Sequence, residues 1–188
     1  MDKREFLRMA AVGTLASLWP SATSAAVVEH GAIVSLRNVD GGPGKSRFLI
    51  GHVGNGRLDF APELSRTHSG TKWKVFTAGS GFFAFECRGL GQGPRWLEAR
   101  AGGVHLAAQR QRPYSGTAWR ALPFPGSTAD YVVECEIVPR QRQWLRGTPG
   151  QNMVDLVPAD SAVAGTRWTI SRYPECIDPP CDPWFRRE

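Results

Sequence analysis

The chain has 188 residues, a formal net charge of +6 at pH 7 and 41% hydrophobic residues. This length suits one domain with its own apolar core and is too short for two comfortable ones. A basic balance favours acidic partners such as anionic polysaccharides, lipid head groups or nucleic acid. The 23 basic residues are scattered, however, without a dense run or a known nucleic-acid motif, so we expect no nucleic-acid partner.

The amino-terminal segment has the pattern of an export signal. Lys3, Arg4 and Arg8 precede an apolar stretch over residues 9–19, and small residues occupy positions 21–26. A basic start, a short apolar middle and a small-residue end are typical of a signal peptide, and the apolar stretch is too short to span a membrane. The alternative, an amphipathic helix of the mature domain, stays open.

The first residues of this segment resemble a twin-arginine export signal. The basic pair is Lys3 and Arg4, and Phe6 and Leu7 follow after one variable residue, with a lysine where the first arginine of the pair belongs. The resemblance implies that residues 1–25 form the signal and that the mature chain is periplasmic or secreted by a bacterium. We expect no transmembrane segment.

A tetrapeptide of the form Gly-Thr-x-Trp occurs three times further along. Its tryptophans are Trp73, Trp119 and Trp168, which lie 46 and 49 residues apart. Three short apolar runs precede each of them, and most of the glycines and prolines lie between the runs. Within a run the apolar residues alternate as in a half-buried strand, for example Phe83 and Phe85. The sequence therefore predicts three units of four short strands each.

Three such units resemble the β-trefoil superfamily, which includes ricin-type lectin modules and fascin-like domains. The resemblance implies an all-β fold in which the first and fourth strands of every unit close a six-stranded barrel, while the second and third strands form hairpins that cap it. It covers residues 31–172 and leaves 173–188 as a Pro- and Cys-rich tail. Ricin-type modules carry Gln-x-Trp on the fourth strand, and here Thr71, Thr117 and Thr166 stand in place of the glutamine.

Aromatic residues at equivalent positions of the three units predict layers of the core, because burying large rings dominates the stability of a small domain. One layer consists of the tetrapeptide tryptophans. The other consists of the aromatics on the predicted second strands, Phe48, Trp96 and Trp144. In each tetrapeptide we expect the glycine to adopt a positive φ in a tight turn before the fourth strand.

The four cysteines fall into two pairs. Cys87 and Cys135 occupy the same place in successive units, where the alignment puts Leu36 in unit one, so we expect a buried layer in which cysteine acts as a small hydrophobe. Whether these two reach bonding distance stays open. Cys176 and Cys181 in the tail are candidates for a local disulfide in an oxidising compartment. The spacings match no zinc pattern, and we expect no metal and no cofactor.

Ligand positions are expected where the units differ, because a threefold core is structural. Sugar recognition requires an acid for hydrogen bonds to hydroxyls and a ring for stacking or hydrogen bonding. The candidates are Asp40, Asp59, His68 and Tyr114. Unit one contains three of them and is the first choice. The alternative is that all four are solvated loop residues.

No Gly-x-Ser-x-Gly, His-Glu-x-x-His or phosphate-binding loop occurs in the chain. We therefore predict an exported, monomeric, non-catalytic binding module with carbohydrate as its leading ligand class. The alternative is a protein-binding trefoil, such as an inhibitor of secreted proteases or an accessory subunit. Glycines in the longest loop, between Asp40 and Ser46, make that loop poorly suited to be the rigid inhibitory loop of a protease inhibitor.

Overall fold

The computed structural model describes residues 28–40, 47–64, 66–101, 103–110, 116–138, 141–159, 161 and 163–174. Its regular elements are strands, together with two 3-10 helices at Arg66–Thr71 and Pro149–Gln151. The predicted export signal and the tail cysteines Cys176 and Cys181 lie outside these ranges. Within them, no helix has the length and apolar character needed to cross a membrane.

The strands fall into three groups of four, as the repeat predicts. Unit one contains β1 (Ile33–Asn38), β2 (Phe48–His52), β3 (Arg57–Ala61) and β4 (Trp73–Gly79). Unit two contains β5 (Phe82–Cys87), β6 (Trp96–Arg100), β7 (Gly103–Ala107) and β8 (Trp119–Pro123). Unit three contains β9 (Asp130–Val138), β10 (Gln141–Thr148), β11 (Met153–Pro158) and β12 (Trp168–Arg172).

The first and fourth strands of the units close a six-stranded barrel. Antiparallel pairing runs from β1 to β4, β5, β8, β9 and β12, and β12 returns to β1. The second and third strands form three hairpins, β2–β3, β6–β7 and β10–β11. The third strands β3, β7 and β11 contact one another where the hairpins meet. This topology is the predicted β-trefoil, and closure leaves none of the six barrel strands with an open edge.

The tetrapeptide tryptophans form the centre of the core, as predicted. Trp73, Trp119 and Trp168 are fully buried. The indole Nε1 of each donates a hydrogen bond to a carbonyl oxygen on the second strand of its own unit, namely that of Leu49 (3.1 Å), Leu97 (2.9 Å) and Leu145 (2.9 Å). A buried indole N–H requires such an acceptor. The same contact is therefore made three times around the barrel.

The prediction that the second-strand aromatics form another core layer is wrong. Phe48, Trp96 and Trp144 are only half-buried, whereas the leucine that follows each of them is fully buried. Successive strand residues point to opposite faces, so a ring and the leucine beside it cannot both point into the barrel. The leucines take the inner face, and the three rings lie on the outer wall.

The register of the barrel strands corrects the equivalence predicted for Leu36. Cys87 and Cys135 each lie opposite the tetrapeptide tryptophan of the adjacent fourth strand, and in unit one Asn38 takes that place. Asn38 is fully buried, and its Nδ2 donates a 2.6 Å hydrogen bond to the carbonyl oxygen of Gly165. Both cysteines are buried free thiols, so no disulfide joins them.

Close backbone packing, rather than a positive φ in every unit, explains the tetrapeptide glycines. Of the three, Gly165 alone has a positive φ, at 94°. A Cβ added at any of them would overlap a carbonyl oxygen of the second strand of the same unit, contributed by Gly51, Ala99 or Gly147. The positive φ predicted for Gly70 and Gly116 is therefore wrong, and the missing side chain is what both positions need.

Candidate functional site

Asp40 follows β1 on the surface, and the fold itself uses its carboxylate. Asp40 Oδ2 accepts a 2.6 Å hydrogen bond from Gly165 N, and Asp40 N donates one of 3.2 Å to Asn38 Oδ1. These bonds tie the end of β1 to the tetrapeptide turn of unit three. One oxygen of Asp40 is thus engaged within the protein, and the ligand role of this residue stays a prediction.

Asp59 lies half-exposed on the face of the first hairpin that points away from the core, because its neighbours Leu58 and Phe60 pack inward. Its Oδ1 accepts a 2.7 Å hydrogen bond from Phe60 N, and its Oδ2 lies 3.7 Å from His52 Nε2. No hydrogen bond or ion pair in the described ranges joins Asp59 to Asp40. The two predicted acids therefore lie in separate surroundings.

The equivalent positions on the other hairpins are engaged in ion pairs. His105 Nε2 lies 2.9 Å from Glu98 Oε2, which is also 2.6 Å from Arg100 Nε. Neither contact has the alignment of a hydrogen bond, and the Glu98 side chain is only 2% exposed. Asp155 accepts hydrogen bonds from both Nε and Nη2 of Arg146, which raise the pKa of that guanidinium. A ligand could reach Glu98 only by displacing Arg100 and His105, which lie against its carboxylate.

Two further predicted ligand residues lie outside the described part of the chain, one entirely and one in its side chain. Tyr114 lies outside the described residues, and so does the side chain of His68, whose backbone belongs to the 3-10 helix Arg66–Thr71. In the part of the chain that the structure describes, no group of three or more His, Cys, Asp or Glu side chains could hold a metal ion.

Around the outer wall, each second-strand aromatic has four equivalent neighbours on the adjacent barrel strands. We call each set of five a wall site. The strand register defines the unit-one wall site as Ser35, Arg37, Phe48, Thr169 and Ser171. The unit-two wall site comprises Lys74, Phe76, Ala84, Glu86 and Trp96. The unit-three wall site comprises Arg120, Leu122, Val132, Glu134 and Trp144.

The unit-three wall site is closed by its own contacts. Trp144 Nε1 donates a 3.2 Å hydrogen bond to Glu134 Oε2, and the Glu134 side chain is only 3% exposed. Arg120 and Arg142 lie 3.7 Å and 3.6 Å from the two carboxylate oxygens of Glu134. Arg120, Glu134 and the Trp144 indole N–H, the polar members of this site, are therefore engaged with one another.

The unit-two wall site holds two aromatic rings. Phe76 lies opposite Ala84, and Trp96 lies opposite Glu86, so the two rings approach each other across β5. Their centroids are 5.2 Å apart and their planes are inclined at 62°. Ala84 points outward between them, and its small side chain leaves the space in which the rings meet. The equivalent pairs in the other units are Ser171 with Phe48 and Leu122 with Trp144.

Cations surround this pair of rings. The guanidinium carbon of Arg110 lies 5.9 Å from the Phe76 centroid and 5.8 Å from the Trp96 centroid. Lys74 Nζ lies 5.7 Å from the Phe76 centroid. Such distances are within the range of cation–π attraction. We call the surface formed by Phe76, Trp96, Arg110, Lys74 and Glu86 the Trp96 corner.

The acid of the Trp96 corner is already neutralised. Glu86 Oε2 lies 3.2 Å from Arg88 Nη1, and the Glu86 side chain is 16% exposed. Trp96 Nε1, in contrast to the same atom of Trp144, donates to no acceptor in the described ranges. The corner thus combines two half-buried rings, an indole donor without an acceptor in the described ranges, and the exposed cation Arg110.

Sequence reasoning missed the Trp96 corner because it placed the second-strand rings in the core. The adjacent leucines were the available signal, since strand alternation sends only one of two neighbours inward. The meeting of Phe76 with Trp96 depends on the pairing of β4, β5 and β6, which no local pattern reveals.

A second missed cluster surrounds Asp130, which is almost fully buried. Its carboxylate accepts hydrogen bonds from Ser127 Oγ (2.9 Å), Arg167 Nε (2.8 Å) and Thr169 Oγ1 (2.7 Å). Burial alone would raise the pKa of Asp130, but the hydrogen bonds from Thr169, Arg167 and Ser127 together outweigh it and hold the pKa below its usual value. Both carboxylate oxygens are engaged, so this cluster fastens β9 to β12 and offers no ligand site.

No protein-family model matches the chain, and no curated protein matches its sequence. Solved structures do match its fold. The chain is similar to SeviL, solved bound to asialo-GM1 saccharide, with a TM-score of 0.55 and 14% identity over 77% of this chain and 99% of SeviL. It is also similar to the designed 3-fold symmetric protein ThreeFoil, with a TM-score of 0.52 and 12% identity over 75% of this chain and 99% of that one.

A third similar structure is the GlcNAcα1-4Gal-releasing endo-β-galactosidase from Clostridium perfringens. The TM-score is 0.58 and the identity 12%, over 76% of this chain but only 33% of the enzyme chain. The present chain therefore spans about a third of that enzyme's length. At these identities the likeness establishes the trefoil fold alone.

Proposed function

We propose that this chain is an exported, non-catalytic carbohydrate-binding module whose sugar site is the Trp96 corner. The observation that carries the proposal is the pair of half-exposed rings inclined at 62°, with an indole donor and charged groups beside them. A sugar ring has apolar C–H faces that pack on aromatic rings and hydroxyls that need hydrogen-bonding partners. The corner offers both kinds of contact.

The asymmetry of the wall supports this choice. Phe48 and Trp144 occupy positions equivalent to Trp96, but neither meets a second aromatic ring. The residue in the place of Phe76 is Ser171 beside Phe48 and Leu122 beside Trp144. SeviL, which shares the fold, has been solved with a saccharide bound. The unit-one candidates Asp40, Asp59 and His68 remain an alternative location for the same function.

A glycan array with the full chain tests the proposal. The wild-type protein should bind a subset of glycans, and Trp96→Ala should weaken the binding at least about tenfold, as for an aromatic residue at the centre of an interface. Trp96→Phe should retain part of the affinity because it keeps a stacking face. Phe48→Ala is the matched control, since it removes the equivalent half-buried ring of unit one and should leave binding unchanged.

Other outcomes of the array distinguish the alternatives. Binding that survives Trp96→Ala but is lost with Asp59→Ala would move the site to unit one. If no glycan binds, a pull-down from periplasmic or culture extract should identify a protein partner, and the carbohydrate proposal would be wrong. Thermal melting of every variant shows whether a loss of binding reflects a loss of folding.

Export is the second part of the proposal and rests on the first 25 residues. Residues 1–30 fused to a folded reporter should carry it to the periplasm by the twin-arginine route. Arg4→Lys, which leaves two lysines in the basic pair, should stop this transport. Continued export of that variant in a strain without the twin-arginine translocase would show that the route is a different one.

A further inference from the structure

We propose that the Trp96 corner selects sugars that carry an anionic group, a carboxylate or a sulfate, and that Arg110 is the residue that reads this charge. The inference deepens the proposed function and rests on it. It starts from the charges of the corner: among its five residues Lys74 and Arg110 are cations, and the one acid, Glu86, is paired with the neighbouring Arg88. The surface around the two rings is therefore positive.

Arg110 differs from most of the described arginines in having no carboxylate partner among the described residues. Seven others each lie within 4 Å of a carboxylate oxygen: Arg88, Arg100, Arg120, Arg142, Arg146, Arg167 and Arg172. Arg110 is exposed and contacts the rings of Phe76 and Trp96, and no carboxylate in the described ranges pairs with it. Its guanidinium lies against the rings, and no acceptor among the described residues takes its N–H donors.

A guanidinium in this position suits an oxyanion next to an apolar ring. Its planar array of N–H donors matches two oxygens of a carboxylate or sulfate, and such charge-assisted bonds are stronger than bonds to a neutral hydroxyl. The sugar ring would pack on Trp96 or Phe76 while its anionic group reaches Arg110. Trp96 Nε1 adds a donor on the same side.

The local character of this charge favours a sugar over a nucleic acid. A single strand of nucleic acid needs a groove with cations for several successive phosphates as well as stacking rings. Arg88, next to the corner, is already paired with Glu86, and Arg120 and Arg142 at the unit-three wall site are paired with Glu134. One anionic group beside one ring is the ligand that this geometry accommodates.

The test compares matched glycans on the full chain. The probes are oligogalacturonides with their carboxyl-reduced neutral forms, sialylated glycans with their asialo forms, and sulfated glycans with their desulfated forms. We expect the wild-type protein to bind an anionic member about tenfold more tightly than its neutral counterpart, with the preference falling as salt is added. The pair that shows it identifies carboxylate or sulfate as the group recognised.

Arg110→Gln should reduce this preference to nearly none while leaving the neutral glycan's affinity within about twofold. Arg57→Gln is the control, because Arg57 is an exposed arginine on the first hairpin and its loss changes the net charge equally. If Arg57→Gln weakens anionic binding as much as Arg110→Gln does, general attraction explains the preference and the role of Arg110 is refuted.

The remaining outcomes separate this inference from the proposed function. Equal binding of anionic and neutral glycans, lost in Trp96→Ala, would leave the sugar site standing and refute the selection for charge. No binding of any glycan would refute both. Tighter binding of a short single-stranded DNA than of every glycan, abolished by Arg110→Gln, would replace the sugar by a nucleic acid.

Discussion

The inside of the barrel repeats one tryptophan contact in every unit, whereas the contacts on its outer wall differ from unit to unit. Three tryptophans are fully buried and donate the same hydrogen bond to the same second-strand position in each unit. On the wall, the equivalent sites hold a pair of rings in unit two, a closed ion cluster in unit three and serines in unit one.

This difference separates stability from recognition. A barrel interior can close only if each unit fills its share of the volume, so the large buried tryptophan recurs in every unit. Smaller inner residues differ, as Asn38 does from Cys87 and Cys135. The second-strand rings of the wall sites are only half-buried, so their identity matters less for closure. A ligand site can therefore occupy one unit and leave the other two to other contacts, as the Trp96 corner does.

The largest effect is expected from breaking the repeated interior. Trp119→Ala should lower the free energy of unfolding by about 3–5 kcal/mol, because it removes a fully buried ring and leaves a cavity. Urea denaturation followed by circular dichroism measures it. Trp96→Ala, at a half-buried wall position, should cost clearly less. Equal costs for the two would contradict the distinction between inside and wall.

A smaller loss is expected at the tetrapeptide turn. Gly116→Ala places a Cβ against the backbone of Ala99, which cannot move without disturbing β6, so we expect a cost of about 1–3 kcal/mol or more. The control is Gly54→Ala, where no atom lies within 4 Å of the added Cβ. That variant should stay within about 0.5 kcal/mol of wild type. A melting temperature unchanged in Gly116→Ala would show that the close approach is not needed.

Asp130 belongs to one unit only, and we expect its role to be in stability rather than in binding. Its pKa is held below the usual value near 3.9, so its contribution to stability is present above that pH and is lost as the pH falls through the lower, folded-state pKa. Asp130→Asn should cost about 1 kcal/mol at pH 7. The gap to wild type should shrink in urea titrations repeated towards pH 3. A gap that does not change with pH would remove the carboxylate from the explanation.

The smallest effect concerns the two thiols of the interior and involves no change in stability. Burial raises the pKa of Cys87 to about 11 and that of Cys135 to about 12, so at pH 8 both remain protonated and unreactive. In a background carrying Cys176→Ser and Cys181→Ser, a thiol reagent should react with the native protein only as fast as it unfolds. Rapid reaction of either thiol before unfolding would place that cysteine outside the core.

The failed predictions share one physical cause. Each depends on a contact with a strand elsewhere in the chain, and a local sequence pattern carries no information about such a contact. The alignment of Leu36 with Cys87 relied on counting along a loop of uncertain length, and the register places Asn38 there instead. The expected positive φ of Gly70 and Gly116 relied on the usual role of glycine in turns. Neither pattern contains the second strand whose backbone packs against those glycines.

The sequence by itself determined the number of units, the four strands in each and the β-trefoil topology. It also determined the burial of Trp73, Trp119 and Trp168. Repetition and period-two alternation are visible along the chain without knowledge of which strands pair. Only the tertiary structure decided which of two adjacent apolar residues faces the barrel and which faces out. It also decided that Phe76 and Trp96, from different units, meet over Ala84 beside Arg110. Such a surface depends on the pairing of strands that are distant in sequence, and the free energy that fixes this pairing comes from the closed barrel as a whole.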